Sequence, residues 1–140
     1  MKLNDAARDL IGSGADATLV TLNPDGSPQV SVVWVALDQS GADDEIVTAH
    51  LKVHKKVRNV RGDNRVALTI VADAPDHELR PYLSITGTAR IVEGGAPELL
   101  QDLAAVLLGP NSGFPPADAP PGYLTRIRIE KVGGSGPWAG

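Results

Sequence analysis

His50-Leu51-Lys52-Val53-His54-Lys55-Lys56-Val57-Arg58-Asn59-Val60-Arg61-Gly62-Asp63-Asn64-Arg65 is the stretch around which the remaining sequence falls into place. It contains Lys52, Lys55, Lys56, Arg58, Arg61 and Arg65 against the single acid Asp63, so it is +5; the chain total of -4 leaves -9 for everything else. A cationic segment on an otherwise acidic protein repels itself, and an anionic partner is the physical reason to keep it. Val53, Val57 and Val60 recur at spacings of four and three, which predicts a short helix with one buried face and basic residues on the others. Backbone N–H groups at the start of that helix, together with Lys55 and Lys56, suit a phosphate; a solvated basic face is the plainer reading of the same residues.

Strand patterns flank the stretch. Upstream, 17–22 and 28–37 are β-branched runs joined by Asn23-Pro24-Asp25-Gly26, a turn sequence, and together they predict a hairpin. Pro28 stands at the entry of its strand, where no ladder donor is needed. A third strand is expected over 45–49. Downstream, 65–72 and 82–92 read as strands, the second containing Gly87, a candidate bulge or barrel bend. Residues 124–129 alternate as a last strand. Helical spacing predicts short helices over 3–11 and 98–108, the latter closed by Gly109-Pro110 and followed by a proline-rich loop. About six strands, no strict βαβ alternation and no repeat point to a mainly β fold, a small barrel with peripheral helices forming one domain over 1–140, with 132–140 as a C-terminal tail.

The composition, 42% hydrophobic and 21% charged over 140 residues, is that of a globular domain. No apolar run reaches the ~20 residues of a membrane span, and no apolar leader core opens the sequence, so the expected location is cytoplasmic with no membrane partner. The absence of cysteine excludes disulfides, thiol nucleophiles and thiolate metal sites. The acidic total, and a basic stretch without interleaved aromatics, argue against nucleic acid as a partner.

His50 and His54 have the spacing of two metal ligands on one helical face, but only His77 remains as a third, so no metal site is expected. Neither Gly-x-Ser-x-Gly nor Ser-x-x-Lys is present, and Asp43-Asp44-Glu45 reads as solubilising charge in a loop. No catalytic side chain is therefore assigned, which fits an enzyme whose cofactor carries the chemistry. The run Gly133-Gly134-Ser135-Gly136 leads into no helix and is not a phosphate cradle. It reads as a flexible terminus, on which Trp138 would be an anchor for a partner or a site.

Three segments resemble the flavin- and deazaflavin-binding split β-barrel family related to pyridoxamine 5′-phosphate oxidase: the hairpin from Thr21 to Ser31, the segment from Lys55 to Val66, and Gly87-Thr88-Ala89. The form Lys-x-Arg-Asn-x-Arg and the ending Gly-Gly-Ser-Gly-Pro-Trp-Ala-Gly are most similar to the branch that uses the 8-hydroxy-5-deazaflavin coenzyme F-420. The resemblance implies an FMN-binding type split β-barrel. It also implies an F-420-dependent oxidoreductase that passes a hydride to a conjugated small molecule. By position it implies Gln29, Ser31, Val32, Thr48 and Ala49 around the ring, and Lys56 as the main phosphate ligand. Lys52, Asn59 and Trp138 complete the implied cofactor set, with His54 where relatives carry an arginine. An imidazole is mostly neutral at pH 7 unless an anion raises its pKa, so His54 is a weaker anion ligand than arginine. Family members are homodimers with cofactor sites at the interface. FMN in place of F-420, and a carrier that stores the deazaflavin without turnover, are the alternatives; acceptor contacts are expected from the 73–80 and 111–122 loops.

Overall fold

The computed structural model describes residues 1–139. In chain order they form α1 (Asp5–Ile11), β1 (Ala15–Leu22), β2 (Pro28–Asp38), β3 (Glu45–His50), α2 (Lys55–Gly62), β4 (Arg65–Val71), β5 (Tyr82–Glu93), α3 (Ala96–Leu107) and β6 (Tyr123–Ser135). The six strands close into an antiparallel barrel in the order β1-β2-β3-β6-β5-β4. A mainly β barrel with peripheral helices is what the residue patterns predict.

Local chemistry accounts for the elements. Asn4 caps α1, its Oδ1 accepting from the backbone N–H of Ala7 at 2.9 Å. The β1–β2 turn closes with Gly26 at φ 85°, and Ser27 N–H donates to Asp25 Oδ1 at 2.9 Å. Period-two alternation sends Leu19, Val35, Ile46, Leu68, Ile85 and Ile127 into the barrel, where all are buried. Helix α2 lies against β1 and β5, and its Val60 joins that core. Helix α3 lies against β2 and β3. Gly87 marks the expected bulge: the β5–β6 register shifts between Thr86 and Gly87, and a Cβ there would run into the carbonyl of Arg128.

Two departures from the sequence expectation shape the molecule. Strand β6 runs to Ser135, well past 129, pairing Gly133 with Ser84, Gly134 with Leu83 and Ser135 with Tyr82. The C-terminal segment is thus tied to the barrel through most of its length. Trp138 is buried in the barrel core cluster, and its indole Nε1–H donates to the carbonyl of Tyr82 at 2.7 Å. An anchor was expected at Trp138, and in this chain it docks on its own barrel, because a buried indole N–H needs an acceptor and the β5 edge offers one. No described helix is long and apolar enough to cross a membrane.

Candidate functional site

The barrel seam between β2 and β3 is held by three pairs, as is the seam between β1 and β4. Strands β1 and β2 pair over eight positions, whereas β2 and β3 pair only at Ala36–Val47, Leu37–Ile46 and Asp38–Glu45. Beyond Ala36 and Val47 the two strands part. Each keeps its other neighbour, β2 with β1 and β3 with β6, so the fork opens without unravelling the barrel.

A cavity of about 310 Å³ occupies the fork. Val32, Val33 and Trp34 line it from β2, Thr48, Ala49 and His50 from β3, and Leu51, His54 and Lys56 from the turn into α2. Leu100 of α3 and Phe114 of the following loop cover one side. The size is that of a pocket for one small organic molecule.

The electrostatics are one-sided. Among the described residues, Lys52, Lys55, Lys56, Arg58 and Arg61 have no carboxylate partner, while Arg8, Arg65, Arg80, Arg90 and Arg126 all have one. Lys56 is half-buried, and burial pulls its ammonium below the ordinary lysine range. His54 begins α2 without making a side-chain cap, and its imidazole is lowered by burial and by Lys56 and Lys52. His50 is buried, with Nε2 2.8 Å from Thr125 Oγ1. Burial, then Lys56 and His54, push its pKa down to about 4, so it is neutral at pH 7. Lys56 thus stands beside two imidazoles whose protonation it disfavours, with no carboxylate partner of its own among the described residues. Among the described residues no three side chains are grouped as a metal site requires, so His50 and His54 gain no third ligand.

Of the ten residues expected at a cofactor, the cavity brings together Val32, Thr48, Ala49, His54 and Lys56. The other five lie outside it. Gln29 and Ser31 stand earlier on β2 than the lining residues Val32, Val33 and Trp34. Gln29 Oε1 accepts from Thr21 Oγ1 at 3.1 Å, and Ser31 Oγ is buried with no partner in the protein. Lys52 is exposed in the turn after β3. Asn59 is buried and ties α2 to the hairpin, its Nδ2 donating to Thr21 Oγ1 at 3.1 Å and Asn23 Oδ1 at 3.0 Å. Trp138 is occupied at Tyr82.

The expected cofactor set did not include Val33, Trp34, His50, Leu51, Leu100 or Phe114. The available signal for His50 was a polar residue ending an apolar strand directly before the basic run. Of the two loops expected to contact an acceptor, 111–122 supplies Phe114 to the cavity lining and 73–80 supplies no lining residue.

A closed six-stranded antiparallel barrel whose β2–β3 seam forks, with a basic helix at the mouth of the fork, has the architecture of a split barrel. The family pattern of pyridoxamine 5′-phosphate oxidase matches residues 3–134, and the chain belongs to that family. Among solved structures, an F420 reductase is similar at 26% identity and TM-score 0.72, covering 90% of this chain and 94% of its own. A conserved hypothetical protein of Mycobacterium tuberculosis is similar at 25% identity and TM-score 0.72, over 95% and 84% of the two chains. The heme storage protein HutZ of Vibrio cholerae, at 18% identity and TM-score 0.65 over 97% and 96%, shares the fold. No curated protein matches.

Proposed function

We propose that this protein is a coenzyme F-420-dependent oxidoreductase that transfers a hydride from the reduced deazaflavin to a conjugated small-molecule acceptor. The observation that carries the reading is the forked seam: an apolar slot between β2 and β3 that ends at the uncompensated cations of α2. The similar F420 reductase, matched over nearly its full length, supports the choice of deazaflavin. The residues present fit such a group, because Lys56 supplies a cationic donor with no carboxylate partner among the described residues, His54 stands beside it, and the slot lining is largely apolar.

When bound, the deazaflavin supplies the hydride. The chain's own residues hold and shield. Lys56 donates a charge-assisted bond to the anionic end, and the α2 N-terminus adds its dipole. Thr48 and Ala49 form one wall of the slot and Val32 the other. Leu100 and Phe114 keep water from the reacting face, so the protein contributes orientation and exclusion of solvent. His50, neutral and held by Thr125, adds no charge to the floor.

The same reading has the protein act in the cytoplasm as a homodimer. Val30 and Val32 stand 60% and 72% exposed on the outer face of β2, and a second copy over that face would cover them and complete the open side of the slot.

The test is titration of F-420 fluorescence with purified protein, followed by anaerobic addition of acceptors to the reduced complex. Saturable binding at micromolar protein and acceptor-dependent recovery of oxidised F-420 are expected. Absence of saturable binding removes the reading. A yellow protein that retains FMN would replace F-420 with FMN, and tight binding without turnover across a broad acceptor panel would make the protein a carrier.

A further inference from the structure

His50 lines the slot with an imidazole whose two nitrogens face different surroundings. The antiparallel register sets Thr48 opposite Thr125 and His50 opposite Tyr123, so His50 and Thr125 are diagonal neighbours across β3 and β6. Nε2 lies 2.8 Å from Thr125 Oγ1. Nδ1 has no protein partner among the described residues, yet it is not shut away. In those residues Ser31 Oγ is the one side-chain polar atom that is both buried and unpartnered. The 4% of His50 that remains accessible therefore includes Nδ1, and the surface it reaches is the slot.

A neutral imidazole has one donor and one acceptor nitrogen, and the partner of one decides where the proton sits. Burial, then Lys56 and His54, keep this ring neutral. Two arrangements fit the contact with Thr125. If Nε2–H donates, Thr125, which is buried and has no other hydrogen-bond partner among the described residues, is left with an O–H that has no acceptor. If Thr125 O–H donates to Nε2, that hydroxyl proton is used, and the imidazole proton sits on Nδ1, where a molecule in the slot can receive it. Buried donors are rarely left unpaired, which selects the second arrangement.

We infer that Thr125 fixes His50 with its proton on Nδ1, and that Nδ1–H donates a hydrogen bond to an oxygen or nitrogen acceptor on the ring of the cofactor held in the slot. This deepens the cofactor reading above and rests on it: Lys56 takes the anionic end, and His50 follows Thr48 and Ala49 on β3, the wall given to the ring. Thr125 is a positioning residue, acting only through His50. An uncharged donor suits this place, because a second cation would add to the repulsion from Lys56.

Long-range proton–nitrogen NMR of the free protein at neutral pH should show His50 protonated at Nδ1 and bare at Nε2; the reverse overturns the inference. Saturating F-420, or the deazaflavin riboside that lacks the phosphate, should move the Nδ1 resonance, whereas inorganic phosphate should not. An Nδ1 that responds to phosphate and F-420 but not to the riboside overturns the assignment to the ring and gives the donor to the anion. His50→Phe should weaken F-420 and the riboside alike, about two- to tenfold, the size of one neutral hydrogen bond. His50→Asn, which places an amide N–H near the position of Nδ1, should recover most of that loss; equal weakening by both substitutions would mean that the imidazole only fills space. If F-420 binds and Nδ1 stays unmoved, the role of His50 falls and the hydride-transfer reading stands. If F-420 fails to bind while riboflavin binds and moves Nδ1, the hydride-transfer reading falls and the role of His50 stands. Absence of binding by either ring removes both.

Discussion

Replacing Lys56 by methionine keeps most of the apolar stem and removes only the ammonium. The structure gives this change opposite signs for stability and for binding. Lys56 is half-buried with no carboxylate partner among the described residues, and burial alone pulls its pKa down, so the free protein bears a desolvation cost that no interaction offsets. Unfolding free energy should therefore stay the same or rise on substitution. Binding should move the other way. A charge-assisted bond to a phosphate is worth about 1.5–3 kcal/mol, which corresponds to a loss of affinity of roughly 10- to 150-fold. Urea denaturation of the free protein and F-420 fluorescence titration measure the two quantities on the same samples. Affinity changed by less than about twofold would refute the placement of the anion at Lys56. A fall in stability of more than about 1 kcal/mol would instead show that Lys56 is held by a partner within the fold.

Three further outcomes follow from the site's neighbours. His50 is neutral in the folded protein down to about pH 4 but takes up a proton near its ordinary 6.5 when unfolded; stability is full above pH 6.5 and declines between 6.5 and 4, by at most about 3 kcal/mol. Asp38 and Asp63, lowered from 3.8 to about 2 by bonds to Ser40 and Arg65, lose their contributions only at lower pH, so His50→Gln should flatten denaturation midpoints between pH 6.5 and 4.5, and equal slopes in both proteins would discount the burial of His50. Asn59→Ala breaks the two bonds joining α2 to the hairpin and should cost about 1–3 kcal/mol in urea; a tenfold loss of F-420 affinity with stability intact would mark Asn59 as a direct ligand. Gly87→Ala drives a Cβ into the Arg128 carbonyl at the bulge and should lower stability by about 1–3 kcal/mol or more, with an unchanged melting temperature contradicting the close approach of β5 and β6.

What could be read in advance divides along the range of the interactions involved. The hairpin, the β5 bulge and the three helices depend on residues near one another in the chain, and their turn signals and periodicities are visible there. The end of β6 is not. Gly133-Gly134-Ser135 has no strand preference of its own, and it extends because Tyr82, Leu83 and Ser84 supply a ladder from far upstream. Gly134 suits that place, with φ 100° and no room for a Cβ beside the Tyr82 carbonyl. The site divides in the same way. Thr48, Ala49 and His54 are placed by the family resemblance, and Lys56 by that resemblance and by the basic run opening α2. Phe114 reaches the cavity only through the fold, and Gln29 and Ser31, earlier on β2, do not line it. The seam that opens the cavity is a property of register between β2 and β3, which no single segment encodes.

The distribution of charge then supports the choice of site over its plainer alternative, a solvated basic face. Elsewhere in the described chain several cations find carboxylates: Arg126 meets Asp38 and Glu45, Arg90 meets Glu45, and Arg65 meets Asp63, while Lys2, Arg128 and Lys131 form no ion pair. Asp44, fully buried, is answered by Arg8 and by the backbone N–H of Leu3. With seventeen acidic side chains in the sequence, pairing the α2 cations would take only one well-placed carboxylate nearby. None lies within reach of Lys56, although Lys56 is the member of that group that lines the cavity. A merely solubilising lysine gains nothing from being half out of water, whereas one that receives an anion must keep its acceptor position open. Burial without compensation at Lys56, at the mouth of a seam that the register leaves apart, is the combination on which the proposed anion site rests.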